Sequence, residues 1–263
     1  MATKTLKDGT TVTTKSVHET GHIKNVANFS TFLKVTRSMA AQYQPANPLI
    51  QTKPLDNKEE RIKKVMEALA RISREAENAT IARSKVYDTL KPFATRLMAT
   101  LSSSEGVTKP TLADAASYNK KIQGTRVGKV QAPNAADAKP KRNISTSQQS
   151  YDLKVEHFRN LRVLLESVPG YKPNEKDLNL DAIRAFENEL KSSDDLVINA
   201  NNDLINARNT RNLELYDKET GAVALSKLMK AYLKGVLGTK HADYKKVSPL
   251  VFRQVNDKAS AIK

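Results

Sequence analysis

Apolar residues recur at helical spacing along most of the chain. From about Val17, the positions Ile23, Val26, Ala27, Phe29, Leu33 and Met39 fall on one helical face. Pro45, Pro48 and Pro54 then predict a loop over 43–55, because proline lacks the amide hydrogen a helix interior needs. Asp56 stands where a helix cap is expected, with Glu59 three residues on at the capping-box spacing. The next stripe is long: Ile62, Val65, Met66, Leu69, Ile72, Ala76, Ala79 and Val86, with charges on the opposite face. It predicts a helix to about Leu90, where Pro92 interrupts. A helix of this length suits an elongated bundle or a coiled-coil hairpin better than a compact globule. Phe93–Leu101 reads as a further helical piece, Ser102–Pro110 as a loop and Leu112–Ile122 as a short helix.

The second half repeats the plan. Val155, Phe158, Leu161, Leu164 and Leu165 predict a helix from about Gln148 to Val168, ended by Pro169, Gly170 and Pro173. A second long helix is expected from about Leu180 to Leu215, carrying Ile183, Phe186, Leu190, Val197, Ile198, Leu204 and Ile205. Inside it the run Asn199–Asp203 is rich in asparagine, a poor helix former, and points to polar contacts or a local kink. A third helix spans about Ala222–Leu237 before Gly238. His241–Val247 forms a short piece before Pro249.

The two halves match at a period near 129. Val26 and Phe29 lie 129 positions before Val155 and Phe158, and Tyr87-Asp88 lies 129 before Tyr216-Asp217. Tyr43 and Pro45 match Tyr171 and Pro173 at 128, Leu97-Met98 matches Leu228-Met229 at 131, and Tyr118 matches Tyr244 at 126. Ordered matches with equivalent loop prolines indicate an internal duplication. The expected fold is all-α: two tandem, duplicated, elongated helical bundles with long antiparallel helices. The expected layout is a flexible arm over 1–16, with Asp8-Gly9 as a turn, and a first bundle over 17–123. A basic linker over 124–147, a second bundle over 148–253 and a tail over 254–263 complete it. The paired phenylalanines and Leu-Met steps are assigned to the core, and the paired tyrosines to buried rings whose hydroxyls reach loop carbonyls.

Composition fits this reading. Aromatic residues are 5% with no Trp, so the core must be aliphatic, which favours helices. The absence of Cys excludes disulfides, thiolate–zinc sites and cysteine nucleophiles. No long uncharged apolar run and no apolar leader is seen, so the expectation is a cytoplasmic chain without membrane insertion.

The net charge is +16, of which +11 falls in the first 130 residues. Such a charge attracts polyanions without sequence-specific contacts. The candidate contacts are Lys120, Lys121, Arg126, Lys129, Lys139, Lys141 and Arg142, within a Lys/Arg-bearing stretch over 53–142. Scattered charge is equally the mark of a solvated surface, and aromatics are too sparse for a base-stacking platform.

The stretch Leu228–Gly238, followed by Tyr244 and by Val251-Phe252-Arg253, resembles C-terminal stretches of uncharacterised bacterial helical proteins with a similar two-part layout. The resemblance covers residues 228–253. It implies the fold and carries no catalytic motif.

One motif offers chemistry. Residues 18–22 spell H-E-x-x-H. On a helix, His18 and His22 would share a zinc ion while Glu19 acted as general base, with a third ligand from Glu59, Glu60 or Glu67. Only 17 residues precede His18, no strand series builds a cleft wall, and the equivalent region near Ser147–Tyr151 lacks the motif. We therefore read it as a chance match and expect no catalytic residue, resident metal or cofactor. His157 is expected as a partly buried helix residue, His241 at a negative helix end, and Asp194-Asp195 on a solvated face. The expected role is a non-enzymatic structural or assembly protein that binds itself or another protein. The alternatives are a sequence-independent nucleic-acid binder and, last, a zinc metalloprotease at residues 18–22.

Overall fold

A computed structural model describes residues 2–5, 11–14, 21–124 and 149–255. Two short strands, β1 (Ala2–Thr5) and β2 (Thr11–Thr14), pair antiparallel with Ala2 opposite Thr14, so the expected arm contains a small hairpin. Asp8-Gly9 lies outside the described residues. Every other regular element is helical, and among the described residues there are seven α-helices. They are α1 (His22–Ser38), α2 (Thr52–Ser102), α3 (Lys109–Gln123), α4 (Tyr151–Glu166), α5 (Leu180–Tyr216), α6 (Ala222–Leu237) and α7 (Ala242–Val247).

Most boundaries follow local chemistry. Thr108 caps α3 by accepting the Thr111 amide, and Gly124 ends it at φ 75°, a left-handed conformation that costs glycine little. Ser150 caps α4 through the Leu153 amide. Helix α2 differs from expectation twice. Helix α2 starts at Thr52, four residues before Asp56; Pro54 is tolerated there because first-turn amides have no intrahelical partner. The same helix also runs unbroken through Pro92. Leu90, Ala94, Leu97 and Leu101 form one buried stripe across the proline. Burying each leucine contributes roughly 1.5–3 kcal/mol, enough together to offset the roughly 3 kcal/mol penalty of an interior proline.

The chain forms two compact units, one from Met1–Ser73 with Asp203–Lys263, the other from Arg74–Asn202. These are not the two halves of the sequence. The first unit takes α1 and the start of α2 from the first half, and the end of α5 with α6 and α7 from the second. The second unit takes α4 and the start of α5 from the second half, and the end of α2 with α3 from the first. The physical reason is length: α2 has 51 residues, or roughly 75 Å at 1.5 Å per residue, more than one small core can cover.

In the first unit, Phe29, Phe32 and Leu33 of α1 share a core with Leu55 and Ile62 of α2 and with Met229 and Leu233 of α6. Leu228, expected in the core, is 40% exposed while Met229 is fully buried. One position along a helix turns a side chain by about 100°. Tyr43 donates its hydroxyl to the Ile50 carbonyl at 2.7 Å. Arg37 of α1 reaches Asp56 and Glu59 of α2, and Glu59 also meets Lys63.

In the second unit, α3 packs along α4. Phe158, Leu161 and Leu165 of α4 share a core with Leu97 and Leu101 of α2 and with Ile183 and Leu190 of α5. The Phe158 and Phe186 rings meet edge to face at 5.4 Å. Tyr171 donates to the Leu178 carbonyl at 2.9 Å. Gly170 sits where an added Cβ would come within 1.9 Å of the Glu105 carbonyl oxygen.

Candidate functional site

Of the H-E-x-x-H residues, His18 and Glu19 lie outside the described residues, and His22 is the first residue of α1. Gly21 is extended (φ −85°, ψ −171°), so no helical turn runs back from His22 through it. The helix therefore starts later than the Val17 expected from the apolar pattern. The His22 Nδ1 atom lies 2.7 Å from the Tyr216 hydroxyl, and the two rings stack tilted at 5.6 Å. Glu59, a candidate third ligand, is buried against Arg37 and Lys63. Burial pushes the Glu59 carboxyl up, but hydrogen bonds from Arg37 and Ser30 and the nearby Lys63 hold it below its ordinary value. Among the described residues, no group of three or more His, Asp or Glu could hold a metal ion.

The corner where α5 turns into α6 belongs to the same unit. Asp217 Oδ1 accepts the Thr220 amide at 2.7 Å, the Thr220 hydroxyl at 2.8 Å and the Glu219 amide at 3.1 Å. These bonds, Thr220's foremost, hold its carboxyl down at about 2. Gly221 is required here, since an added Cβ would lie 2.5 Å from the Asp217 backbone. A cavity of about 520 Å³ opens beside the turn, with Leu49, Val223, Lys227 and Gln254 among its walls. Its one aspartate is committed to the turn, and no serine or histidine lines it.

An extended segment crosses this unit after α7. Asn25 of α1 donates to the Arg253 carbonyl at 2.6 Å and accepts the Arg253 amide at 3.1 Å. Asn28, one turn on, donates to the Val251 carbonyl at 2.8 Å. Lys230 of α6 donates to the Ser248 carbonyl at 3.0 Å and also to that of Leu250. Both asparagines are buried. Sequence reading missed them, because two asparagines three positions apart on a helix carry no distinguishing signal.

The second unit holds a different polar cluster. Tyr87 donates to Asp194, Arg83 lies 3.6 Å from the same carboxylate, and the Arg83 guanidinium sits 3.9 Å above the Tyr151 ring. Burial, reinforced by Asp194, pushes the Tyr87 phenol far up. Asp194 is thus enclosed, not on the solvated face expected for it; Asp195 is exposed. Three lysines of this unit pair with no carboxylate among the described residues: Lys91, Lys121 and Lys154. Lys121 lies 5.8 Å from the centre of the Tyr118 ring and Lys154 lies 5.7 Å from that of Tyr151. Burial, then Lys91, lowers the Lys154 ammonium. His157 is buried with its Nε2 atom unpartnered, and burial, then Lys121, lowers its imidazole. Lys120 stands in the last turn of α3 beside Lys121. Arg126, Lys129, Lys139, Lys141 and Arg142 lie outside the described residues.

His241 caps the N-terminus of α7 and accepts the Asp243 amide on Nδ1, the reverse of the negative helix end expected for it. Among the described residues no helix is long and apolar enough to cross a membrane. No protein-family model matches the chain, no curated protein matches it, and no solved structure matches it.

Proposed function

We propose that the chain is a cytoplasmic, non-enzymatic structural or assembly protein, built by duplication of one helical module and acting through protein–protein contacts. The observation that carries this reading is the common plan of the two units. The Tyr43–Ile50 hydrogen bond has its counterpart in Tyr171–Leu178, 128 positions on. The Glu59–Lys63 pair recurs as Glu187–Lys191 at the same offset. His22 against Tyr216 is matched by Tyr151 against Tyr87, each residue 129 positions from its counterpart and the helices exchanged. Leu90, Ala94, Leu97 and Leu101 correspond in burial to Ala222, Ser226, Met229 and Leu233 at 132. On this reading the Leu-Met match moves from 131 to 132, with three extra residues in the turn before α6. Each unit joins the short helix of one half to the C-terminal helices of the other. Two protomers that exchange elements have this pattern, here joined in one chain. Such modules present two similar surfaces, which suits scaffolding or head-to-tail assembly.

A second reading, sequence-independent binding of nucleic acid, is favoured by Lys91, Lys121 and Lys154, which pair with no carboxylate among the described residues, and by the net charge of +16. Size-exclusion chromatography with light scattering, at low and high salt, with and without DNA or RNA, separates the two. A discrete oligomer or growing polymer at both salts is the expected result. A monomer that co-elutes with nucleic acid only at low salt would transfer the assignment to the second reading, since phosphate contacts weaken steeply with salt.

A further inference from the structure

The segment after α7 is held as a bound peptide is held. From Ser248 to Arg253 every side-chain hydrogen bond to it from α1 and α6 goes to its backbone: Lys230 takes the Ser248 and Leu250 carbonyls, Asn28 that of Val251, and Asn25 both polar groups of Arg253. Its side chains alternate as in a strand. Leu250 and Phe252 pack on the core, with Lys230 lying 5.8 Å from the centre of the Phe252 ring, while Val251 and Arg253 are exposed. The groove between α1 and α6 thus supplies two apolar seats and a set of backbone clamps. Asn25 is only 2% exposed. Buried amides left unpaired are costly, so the groove favours being filled by an extended backbone. In the second unit the positions matching Asn25 and Asn28 are Lys154 and His157, so the clamp is particular to the first unit.

We propose that this groove is a binding site for an extended peptide, and that its occupant in assembly is the Ser248–Arg253 segment of a second copy of this chain. That segment is already seated in cis on these contacts. An identical one from another copy makes the same hydrogen bonds and apolar contacts, which is why exchange of an identical element is a low-cost route to association. The turn at Ser248-Pro249, which follows α7, is the hinge. The inference rests on the assembly reading above and names its joint.

The test mixes two full-length variants. One carries Asn25→Ala and Asn28→Ala, with the groove disabled and the segment intact; the other carries Leu250→Ala and Phe252→Ala, with the reverse. Circular dichroism checks that each is helical. Light scattering is expected to give monomers for each alone and a dimer-mass species for the mixture, because only the mixture contains both a working groove and a working segment. A mixture that stays monomeric overturns the proposal. So does self-association of each variant equal to that of the unaltered chain, in which case the assembly reading stands and another surface carries it. A fluorescent peptide of residues 248–255 adds a second readout by anisotropy. It is expected to bind the Leu250→Ala/Phe252→Ala chain about ten-fold tighter than the unaltered chain, whose groove is filled. Equal affinity for both, or binding unaffected by further replacing Asn25 with Ala, also overturns it. If peptide binding and self-association both fail, the assembly reading falls with the groove.

Discussion

Tyr43 and Tyr171 make the same contact, a buried phenol donating to a carbonyl seven residues on. Burial raises both phenols, that of Tyr171 to about 12, so each stays a donor throughout the working range of pH. Replacing either by Phe leaves a buried carbonyl unpaired, at a cost of roughly 1–3 kcal/mol. Tyr43→Phe and Tyr171→Phe are expected to lower stability by similar amounts in urea denaturation; a large loss from one and none from the other would contradict the common plan of the units. His157 behaves differently. Burial and Lys121 lower its imidazole, while Glu156 opposes this weakly. An unfolded histidine takes up its proton below about pH 6.5, but folded His157 resists until lower pH. Its stabilising effect is therefore complete above that pH and declines as pH falls below it. In His157→Asn, which places there the residue found at 28, the drop in stability between about pH 7 and pH 5 is expected to shrink, measured by denaturation at both values.

At the scale of elements, α6 and α7 match their expected bounds because Gly238, Pro249 and the apolar spacing agree at both ends. The misreadings share a cause. Pro92 signals a break to any local rule, but the stripe from Leu90 to Leu101 is buried by α4, which lies more than 50 positions downstream, and burial decided the matter. Asp56 has cap chemistry and is instead drawn to Arg37, a tertiary partner. Asp194 reads as surface because Arg83 and Tyr87 are distant in sequence. The candidate site was less legible still: Asn25 and Asn28 acquire their contacts from a segment over 220 positions away, and Asn25 also from the Tyr216 hydroxyl. Gly170 shows the same dependence on tertiary context, since only the close approach of Glu105 requires glycine there. Gly170→Ala is expected to destabilise the chain by about 1–3 kcal/mol, the usual range for overpacking, whereas Gly235→Ala, with open space at its Cβ, is expected to be neutral or slightly stabilising. Thermal melting of the two variants checks the contrast.

At the scale of the molecule, the recurrence of Tyr, Phe and Pro positions was legible in the sequence, but the exchange of helices between halves was not. The same apolar stripes serve a helix that packs on its own half or on the other, so periodicity cannot distinguish them. The distinction has a physical consequence. If each half were its own bundle, cutting between residues 124 and 149 would release two folded pieces. Instead α1 and the start of α2 complete their core with α6, and α4 and the start of α5 complete theirs with the end of α2. Each half alone would expose both broken cores, including Phe29 and Phe32 in one and Phe158 in the other. A chain carrying a protease site within 125–148 is therefore expected to stay together after cleavage, eluting with the intact mass and keeping its helical circular dichroism. The halves 1–124 and 149–263 produced separately are expected to be unfolded or to form homodimers, each copy standing in for the missing half. Release of two stable helical monomers on cleavage would restore the tandem arrangement and remove the exchange on which the assembly reading rests.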